Sequence, residues 1–303
     1  MNSKNIPNLD ESVMAALNFF SKNRPPFLNL KQFNFPLVIG SGNAYNTAQI
    51  LFSNQPAIIA DESNFTQIIK TYQPLIKNKN IDQALIISAS GEKDSVWEIK
   101  LAKKYRLKTT LLTCSPNSSA AKIADKVITY QKLPEPYTYN TSTYLGILLG
   151  ASQEKSENIK KFIKSLKLPK NFRNYSAYSF ILPDKFGSLA PMLRIKKDEL
   201  FGPHLSLRAF SFGEARHAKF VHPLNNELVI SLDKNKYFGI KTSRWEIKLP
   251  TTTDFGLIMS LTYYLIGKIQ DAKIPYFKKH IAQFCLEGPK AYDNKKPFPV
   301  IVE

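Results

Sequence analysis

The stretch Ala84-Leu-Ile-Ile-Ser-Ala-Ser-Gly-Glu-Lys-Asp-Ser95 decides the fold. Its apolar first half predicts a buried strand, and residues 96–105 predict a helix. A strand that turns sharply into a helix presents unpaired first-turn amides, where the helix dipole favours an anion. Ser88 and Ser90 add hydroxyl donors, and Gly91 lets a ligand approach the backbone closely. The alternative is a serine-rich turn in which a polar side chain caps the helix.

The same alternation of strands and helices runs along the whole chain. In the first half we expect strands at 35–40, 57–60, 84–88, 109–113 and 126–129. A long helix broken near Ser152 and a polar, proline-bearing segment follow, and the pattern then restarts with strands at 177–182, 206–211 and 227–231. Apolar strands separated by helices pair in parallel and are covered on both faces. The sequence therefore predicts an α/β fold with doubly wound parallel sheets.

The composition is that of a globular protein with an apolar core, since 43% of the 303 residues are hydrophobic. No apolar run reaches the roughly 18 residues of a membrane-spanning helix, so we expect no membrane partner. The first residues lack the basic-then-apolar pattern of a secretory signal. Cys114 and Cys285 are too few for a disulfide framework, and a reducing cytoplasm is the expected location.

The net charge of +18 favours an anionic partner. The lysines are scattered along the chain, so a lysine-rich solvated surface is the alternative explanation. There is no zinc-finger spacing, aromatic RNA-binding signature or long basic tail, and we expect no nucleic-acid partner. The four histidines show no metal-ligand spacing, so we expect neither a metal nor a cofactor.

Residues 84–130 resemble a known family. After the quoted loop come a helix ending in Leu101-Ala-Lys103, a strand, the small-residue segment 117–125 and another short strand. This order resembles the SIS (sugar isomerase) family of phosphosugar-binding domains, whose loop reads Ser-x-Ser-Gly-Glu-Thr. The resemblance implies an α/β fold and a site for a sugar phosphate.

The second half resembles the same family at Ala190-Pro-Met-Leu-Arg-Ile-Lys-Lys-Asp-Glu199, at Ala209-Phe-Ser-Phe-Gly-Glu-Ala-Arg-His217 and at Pro299-Val-Ile-Val-Glu303. The resemblance implies two SIS domains, at residues 1–166 and 175–303. Each would be a three-layer sandwich with a doubly wound, parallel, five-stranded sheet flanked by helices. It also implies a homodimer, the commonest closed assembly.

For the phosphate, the resemblance implies Ser88, Ser90, Gly91 and Lys93. The family has Thr at the position of Lys93. A lysine there can add a charge-assisted contact to a dianion, or it can point to solvent.

Two further segments are candidates for binding the sugar phosphate. The turn that contains Ser41 and Asn43 resembles a Gly-Thr-Ser-Tyr turn of the family, with Ala44 in place of one hydroxyl. Asn140 and Thr141, at a predicted helix start, lie near the family's Ser-Thr-Lys segment. The alternatives are a tight connecting turn for the first segment and a helix cap for the second.

Moving a proton between two sugar carbons needs a base, usually a carboxylate or an imidazole. Glu199 matches the glutamate of the family's Lys-x-Lys-Glu run, and Glu214 matches that of Gly-Glu-x-x-His. His217 follows one turn later and can serve in ring opening. In the branch of the family that includes glucosamine-6-phosphate synthase, the base lies at the position that Arg208 occupies here, and arginine cannot act as a base. A surface or capping role is the alternative for each glutamate, and a structural role for His217.

The resemblance implies one of two functions. The first is a phosphosugar isomerase-type enzyme, either an aldose–ketose isomerase or a deaminase or deglycase, acting on a sugar phosphate or an amino-sugar phosphate. The second is a catalytically inactive phosphosugar-binding protein. Three departures from the family favour the second function, because Ala44, Arg208 and Phe298 each replace a residue that the family uses.

Overall fold

The structure is a computed structural model that describes residues 6–218, 224–292 and 296–303. Contacts divide the chain into two compact units. The first unit comprises Asn23–Lys132 and Thr143–Gln153, and the second comprises the remaining segments. Helix α1 (Leu9–Lys22) and residues 154–166 group with the second unit, whereas the sequence analysis placed them with the first.

The first unit is built on a five-stranded parallel sheet in the order β2-β1-β3-β4-β5. Its strands are β1 (Leu37–Gly40), β2 (Ile58–Ala60), β3 (Gln83–Ile87), β4 (Lys108–Thr113) and β5 (Lys126–Thr129). Its helices are α2 (Asn43–Leu51), α3 (Phe65–Thr71), α4 (Gln73–Lys77) and α5 (Asp94–Lys104). β1 and β3 are apolar and buried, as expected for strands covered on both faces.

The second unit contains a four-stranded parallel sheet in the order β10-β9-β7-β8 and a two-stranded antiparallel pair of β6 with β11. Its strands are β6 (Glu135–Pro136), β7 (Ala177–Leu182), β8 (Ser206–Ser211), β9 (Glu227–Leu232), β10 (Arg244–Ile247) and β11 (Ile301–Val302). The family resemblance implied five strands for the second sheet, and the described residues form four.

The remaining helices are α6 (Thr141–Ser152), α7 (Ser156–Ser165), α8 (Ala190–Phe201), α9 (Phe212–His217), α10 (Phe255–Ala272) and α11 (Tyr276–Glu287). The break between α6 and α7 confirms the interruption expected near Ser152. In the second unit α1 packs closely on α10, since a Cβ at Gly267 would lie 2.0 Å from the Asp10 amide nitrogen. Within the described ranges, no helix is long and apolar enough to cross a membrane.

Candidate functional site

The first sheet has a topological switch point between β1 and β3. From β1 the chain moves outward to β2, and from β3 it moves the other way to β4, although β1 and β3 are hydrogen-bonded neighbours. The connections leaving these strands diverge, so a crevice opens at their carboxyl ends, where open parallel sheets bind ligands. The two predicted loops, at 41–43 and 88–93, both lie at this edge.

The loop after β3 holds its serine hydroxyls as acceptors of backbone hydrogen bonds. Ser88 Oγ accepts the Gly91 amide at 3.1 Å, and Ser90 Oγ accepts the Glu92 amide at 3.3 Å. A hydroxyl that accepts an internal bond still has its own hydrogen to donate. The loop therefore fixes two hydroxyl donors immediately before the first turn of α5.

Gly91 is required by two features of this loop. Its φ is +61°, in the left-handed region that favours glycine. A Cβ at this position would also lie 2.0 Å from Ser118 Oγ. The segment around Ser118 buttresses the loop, because the Ala120 amide donates to the Gly91 carbonyl at 3.0 Å and the Ser119 amide donates to Glu92 Oε1 at 2.9 Å.

Lys93, at the N-cap of α5, has a backbone conformation that normally belongs to glycine. Its φ and ψ are 54° and −122°. Gly42 occupies the same position before α2, with φ and ψ of 56° and −119°. The two loops of the crevice thus enter their helices in the same way, once with glycine and once with lysine. The Lys93 side chain is exposed, and partial burial lowers its pKa while Asp94 acts in the opposite direction.

The loop after β1 places Asn43 at the first position of α2. Asn43 is 9% exposed, and its Oδ1 is buried without a hydrogen-bond partner among the described residues. The Ser41 carbonyl accepts the Ala44 amide at 3.0 Å and so closes the turn. A buried acceptor without a donor costs free energy, and a ligand hydroxyl or amine would satisfy it.

Two other helices of the protein have an internal carboxylate at their N-terminus. Glu135 accepts the Thr141 and Ser142 amides of α6 at 2.8 and 3.2 Å, and Glu154 accepts the Leu257 amide of α10 at 3.2 Å. In contrast, neither Gly42 at α2 nor Lys93 at α5 provides a side-chain cap.

The first turn of α5 contains one acidic residue, Asp94. Its Oδ1 accepts the indole N–H of Trp97 at 3.2 Å. The two helix N-termini at the switch point are therefore both built without a capping carboxylate, a property that α8 and α11 share.

Asn140 and Thr141 lie in the second unit and have internal roles. Asn140 adopts a positive φ of 48° and donates through Nδ2 to the Thr138 carbonyl at 3.2 Å. The Thr141 amide donates a hydrogen bond to Glu135 Oε2 at 2.8 Å. The side chain that caps α6 is that of Glu135, six residues before Thr141, and not a side chain of Asn140 or Thr141 as the capping alternative expected.

Glu199 lies on α8 in the second unit and is paired with a lysine one turn away. Lys196 Nζ donates to Glu199 Oε2 at 2.6 Å and also to the Thr138 carbonyl. The Lys196 side chain is fully buried, whereas that of Glu199 is 21% exposed. Burial raises the pKa of Glu199 above its usual range, and Lys196 opposes this shift. A carboxyl with a raised pKa that keeps some exposure has the properties of a general base.

Glu214 and His217 lie on the short helix α9. Ser211 Oγ accepts the Glu214 amide at 3.1 Å, and Glu214 Oε2 accepts the Ser211 amide at 2.8 Å, which is a complete capping box. His217 is exposed at the end of α9. Both the amide and the carboxylate of Glu214 are thus used in capping α9. Glu199, in contrast, lies in a largely buried ion pair with Lys196.

Arg208, one of the three departures from the family pattern, forms an ion pair in β8. Its guanidinium lies 2.5 Å from the carboxylate of Glu227, which is buried and also accepts a hydrogen bond from Ser179. The three residues lie on neighbouring strands, with Ser179 opposite Arg208 in the register. Arg208 therefore neutralises a buried acid.

Several buried charged groups were not predicted from the sequence, among them Lys196 and Glu98. Lys196 and Glu98 both lie on the inner faces of helices, α8 and α5, and are nearly inaccessible. The signal was present for Glu98, because positions 95, 98, 99 and 102 form one buried helix face on which a glutamate is out of place.

Known structures share this fold. The C-terminal domain of glucosamine-fructose-6-phosphate aminotransferase from Francisella tularensis is 14% identical, with a TM-score of 0.56 over 87% of this chain and 93% of its own. Glucosamine-6-phosphate deaminase from Thermotoga maritima is 15% identical, with a TM-score of 0.55 over 86% and 92%.

Tagatose-6-phosphate ketose/aldose isomerase from Escherichia coli is 12% identical, with a TM-score of 0.56 over 88% of this chain and 89% of its own. No protein-family model matches the chain, and no curated protein matches its sequence. At these identities the comparisons establish the fold, which is the α/β fold that the resemblance implied.

Proposed function

We propose that the crevice between β1 and β3 binds the phosphate group of a phosphorylated sugar. The observation that carries this proposal is the pair of helix N-termini at the switch point, α2 and α5, which have no side-chain cap. Their first-turn amides and dipoles favour an anion. Ser88 and Ser90 supply hydroxyl donors next to α5, and the net charge of +18 attracts an anionic ligand.

The binding residues in this proposal come from both loops. Ser88, Ser90, Gly91 and Lys93 surround the phosphate, with Lys93 in place of a neutral hydroxyl as a charged donor. Ser41 and Asn43 approach from the second loop, and the buried Asn43 Oδ1 accepts a hydroxyl or amine of the sugar.

The proposed activity is that of a phosphosugar isomerase-type enzyme. Solved proteins of this fold include one described as a ketose/aldose isomerase of tagatose 6-phosphate and one described as a glucosamine-6-phosphate deaminase. Glu199 is the proposed base because its raised pKa suits proton transfer, whereas Glu214 is held in a capping box. We also propose that the protein forms a homodimer and is located in the cytoplasm. The alternative, a phosphosugar-binding protein without catalysis, is favoured by the ion pair of Arg208 with Glu227.

The binding proposal is tested by thermal-shift measurements with hexose, hexosamine and pentose phosphates, and with inorganic phosphate as the reference. We expect one sugar phosphate to stabilise the protein well beyond phosphate itself. Replacing both Ser88 and Ser90 with alanine should weaken its affinity at least about 10-fold, because hydrogen bonds to a charged group are lost. The matched control is Ser165→Ala with Ser176→Ala, at two exposed serines outside both loops. Unchanged affinity in the Ser88/Ser90 variant would disprove the assignment.

An isomerisation assay with the stabilising sugar phosphate separates the two functions. For an enzyme, Glu199→Gln should bind the ligand as well as the wild type and lose turnover about 100-fold or more. A wild-type protein that binds the ligand but does not convert it would be the inactive binding protein.

A further inference from the structure

Tyr139 lies between two residues with a strained backbone in the second unit. The φ of Thr138 is 73° and that of Asn140 is 48°, both in the left-handed region. A β-branched residue such as Thr138 rarely adopts this conformation. Strained conformations persist only where the surrounding structure fixes them, so the contacts of this turn identify what holds it in place.

The Tyr139 hydroxyl both donates and accepts a hydrogen bond. The side chain is fully buried, and its ring packs on that of Phe277 with the centroids 4.9 Å apart. The hydroxyl donates to the Pro7 carbonyl at 2.9 Å and accepts from Gln270 Nε2 at 3.1 Å. These two bonds join the strained turn to segments that are more than 130 residues away in the sequence.

Gln270, on α10, uses both ends of its side-chain amide in the same set of contacts. It is 5% exposed. Its Oε1 accepts the amide of Leu9, the first residue of α1, at 2.9 Å, and its Nε2 donates to Tyr139. Only an amide side chain can accept from one of these partners and donate to the other. The start of α1, α10 and the turn at 138–140 are thus joined by one chain of hydrogen bonds.

The same turn contacts the ion pair that contains the proposed base. The Thr138 carbonyl accepts a hydrogen bond from Lys196 Nζ, which also donates to Glu199 Oε2 at 2.6 Å. The Lys196 side chain is fully buried, so bulk water does not replace an acceptor that moves away. The position of this carbonyl therefore determines how many of the three ammonium hydrogens are left for the carboxylate.

We propose that Tyr139 and Gln270 are positioning residues, which hold the turn in the conformation that lets its carbonyl bind the buried lysine. The inference rests on the proposed function, in which Glu199 is the base. With the carbonyl in place, the lysine donates to one oxygen of Glu199. Without it, the ammonium group turns a second hydrogen to the carboxylate. That contact favours the charged form of Glu199, so it lowers the pKa of the carboxyl group and makes it a weaker base.

A titration of the Glu199 carboxyl carbon by ¹³C NMR tests this inference and does not require turnover. Glutamate-labelled protein is used, and Glu199→Gln identifies the resonance. Tyr139→Phe removes the hydroxyl and keeps the ring, so the acid dissociation constant of Glu199 should rise about threefold or more. The matched control is Tyr178→Phe, at a buried tyrosine of the same unit whose hydroxyl donates to the Phe172 carbonyl at 2.7 Å. The control should leave the Glu199 titration unchanged.

An unchanged titration in Tyr139→Phe, or an equal change in Tyr178→Phe, would overturn the positioning role and leave the proposed function standing. The isomerisation assay decides the proposed function separately, since a wild type without turnover would overturn only that. In an active enzyme, Tyr139→Phe should lower kcat about 10-fold at an unchanged KM. It should also move the acidic limb of the pH profile of kcat together with the Glu199 titration.

A second variant serves if Tyr139→Phe does not fold. Gln270→Leu removes both hydrogen bonds of the amide, to Leu9 and to Tyr139, and introduces no charge. It should raise the dissociation constant of Glu199 by the same factor of about three. A constant equal to that of the wild type would overturn the inference.

Discussion

At the scale of single residues, Lys93 has a backbone conformation that suits glycine better than lysine. A φ of 54° with a ψ of −122° is a conformation that glycine adopts freely and that costs other residues of the order of 1–3 kcal/mol. The equivalent position in the neighbouring loop is Gly42. Strain of this kind persists where the side chain has a use, and a charged donor beside an anion site is such a use.

Replacing Lys93 with glycine should therefore stabilise the protein by about 1 kcal/mol, since relief of strain exceeds the entropy that glycine adds to the unfolded chain. Urea unfolding measures the difference. Lys93→Ala removes the same charge but keeps the strained backbone, so it should show no such gain. Equal stabilities of the Gly and Ala variants would show that the backbone is not strained.

Gly42→Ala provides the reciprocal test. A Cβ at Gly42 would have no atom within 4 Å, so any loss of stability must come from the backbone conformation. We expect a loss of about 1 kcal/mol or more, measured in the same urea experiment. If Gly42→Ala leaves the free energy of unfolding unchanged, the backbone strain inferred for both loops is contradicted.

At the scale of helices and strands, most elements were predictable because their hydrophobic periodicity is strong. β7 and β8 have the predicted bounds, 177–182 and 206–211. β10 was missed because Arg244 and Glu246 interrupt its apolar pattern. β6 and β11 have two residues each, too few for any period, and they pair across most of the chain length.

The candidate site was predictable to the same extent. The two loops of the crevice are local features, since a strand, a turn and a helix follow each other directly in the sequence. The capping of α6 by Glu135 and the pairing of Lys196 with Glu199 and the Thr138 carbonyl depend on a turn with positive φ at Thr138 and Asn140. A positive φ is unusual for a β-branched residue such as Thr138, and such a turn carries no periodic signal.

Replacing Glu135 tests how much a buried capping carboxylate contributes to the free energy of unfolding. It is buried and accepts the Thr141 and Ser142 amides as well as the Ser142 hydroxyl at 3.0 Å. Glu135→Ala should lower the free energy of unfolding by about 3 kcal/mol, since several charge-assisted bonds are lost at once. Denaturant unfolding measures the change, with the exposed Glu157→Ala as the control, expected within about 0.5 kcal/mol of the wild type. Matching midpoints for the two variants would contradict the capping role.

At the scale of the whole molecule, the two units repeat one architecture but differ at the carboxyl edges of their sheets. In the second unit, Asp184 after β7 accepts the Gly213 amide at 2.6 Å, and Ser211 and Glu214 cap α9. In the first unit, the corresponding edge presents uncapped helices and serine hydroxyls. The N-terminus of α8 in the second unit also lacks a side-chain cap, so what distinguishes the edge in the first unit is the pair of uncapped helices together with the serine hydroxyls.

The measurement that tests this account most directly is a crystal structure of the protein with the sugar phosphate that stabilises it most. We predict the phosphate within hydrogen-bond distance of the Ser88 and Ser90 hydroxyls and of the first-turn amides of α5. A phosphate bound to surface lysines, or at an edge of the second sheet, would contradict the central claim.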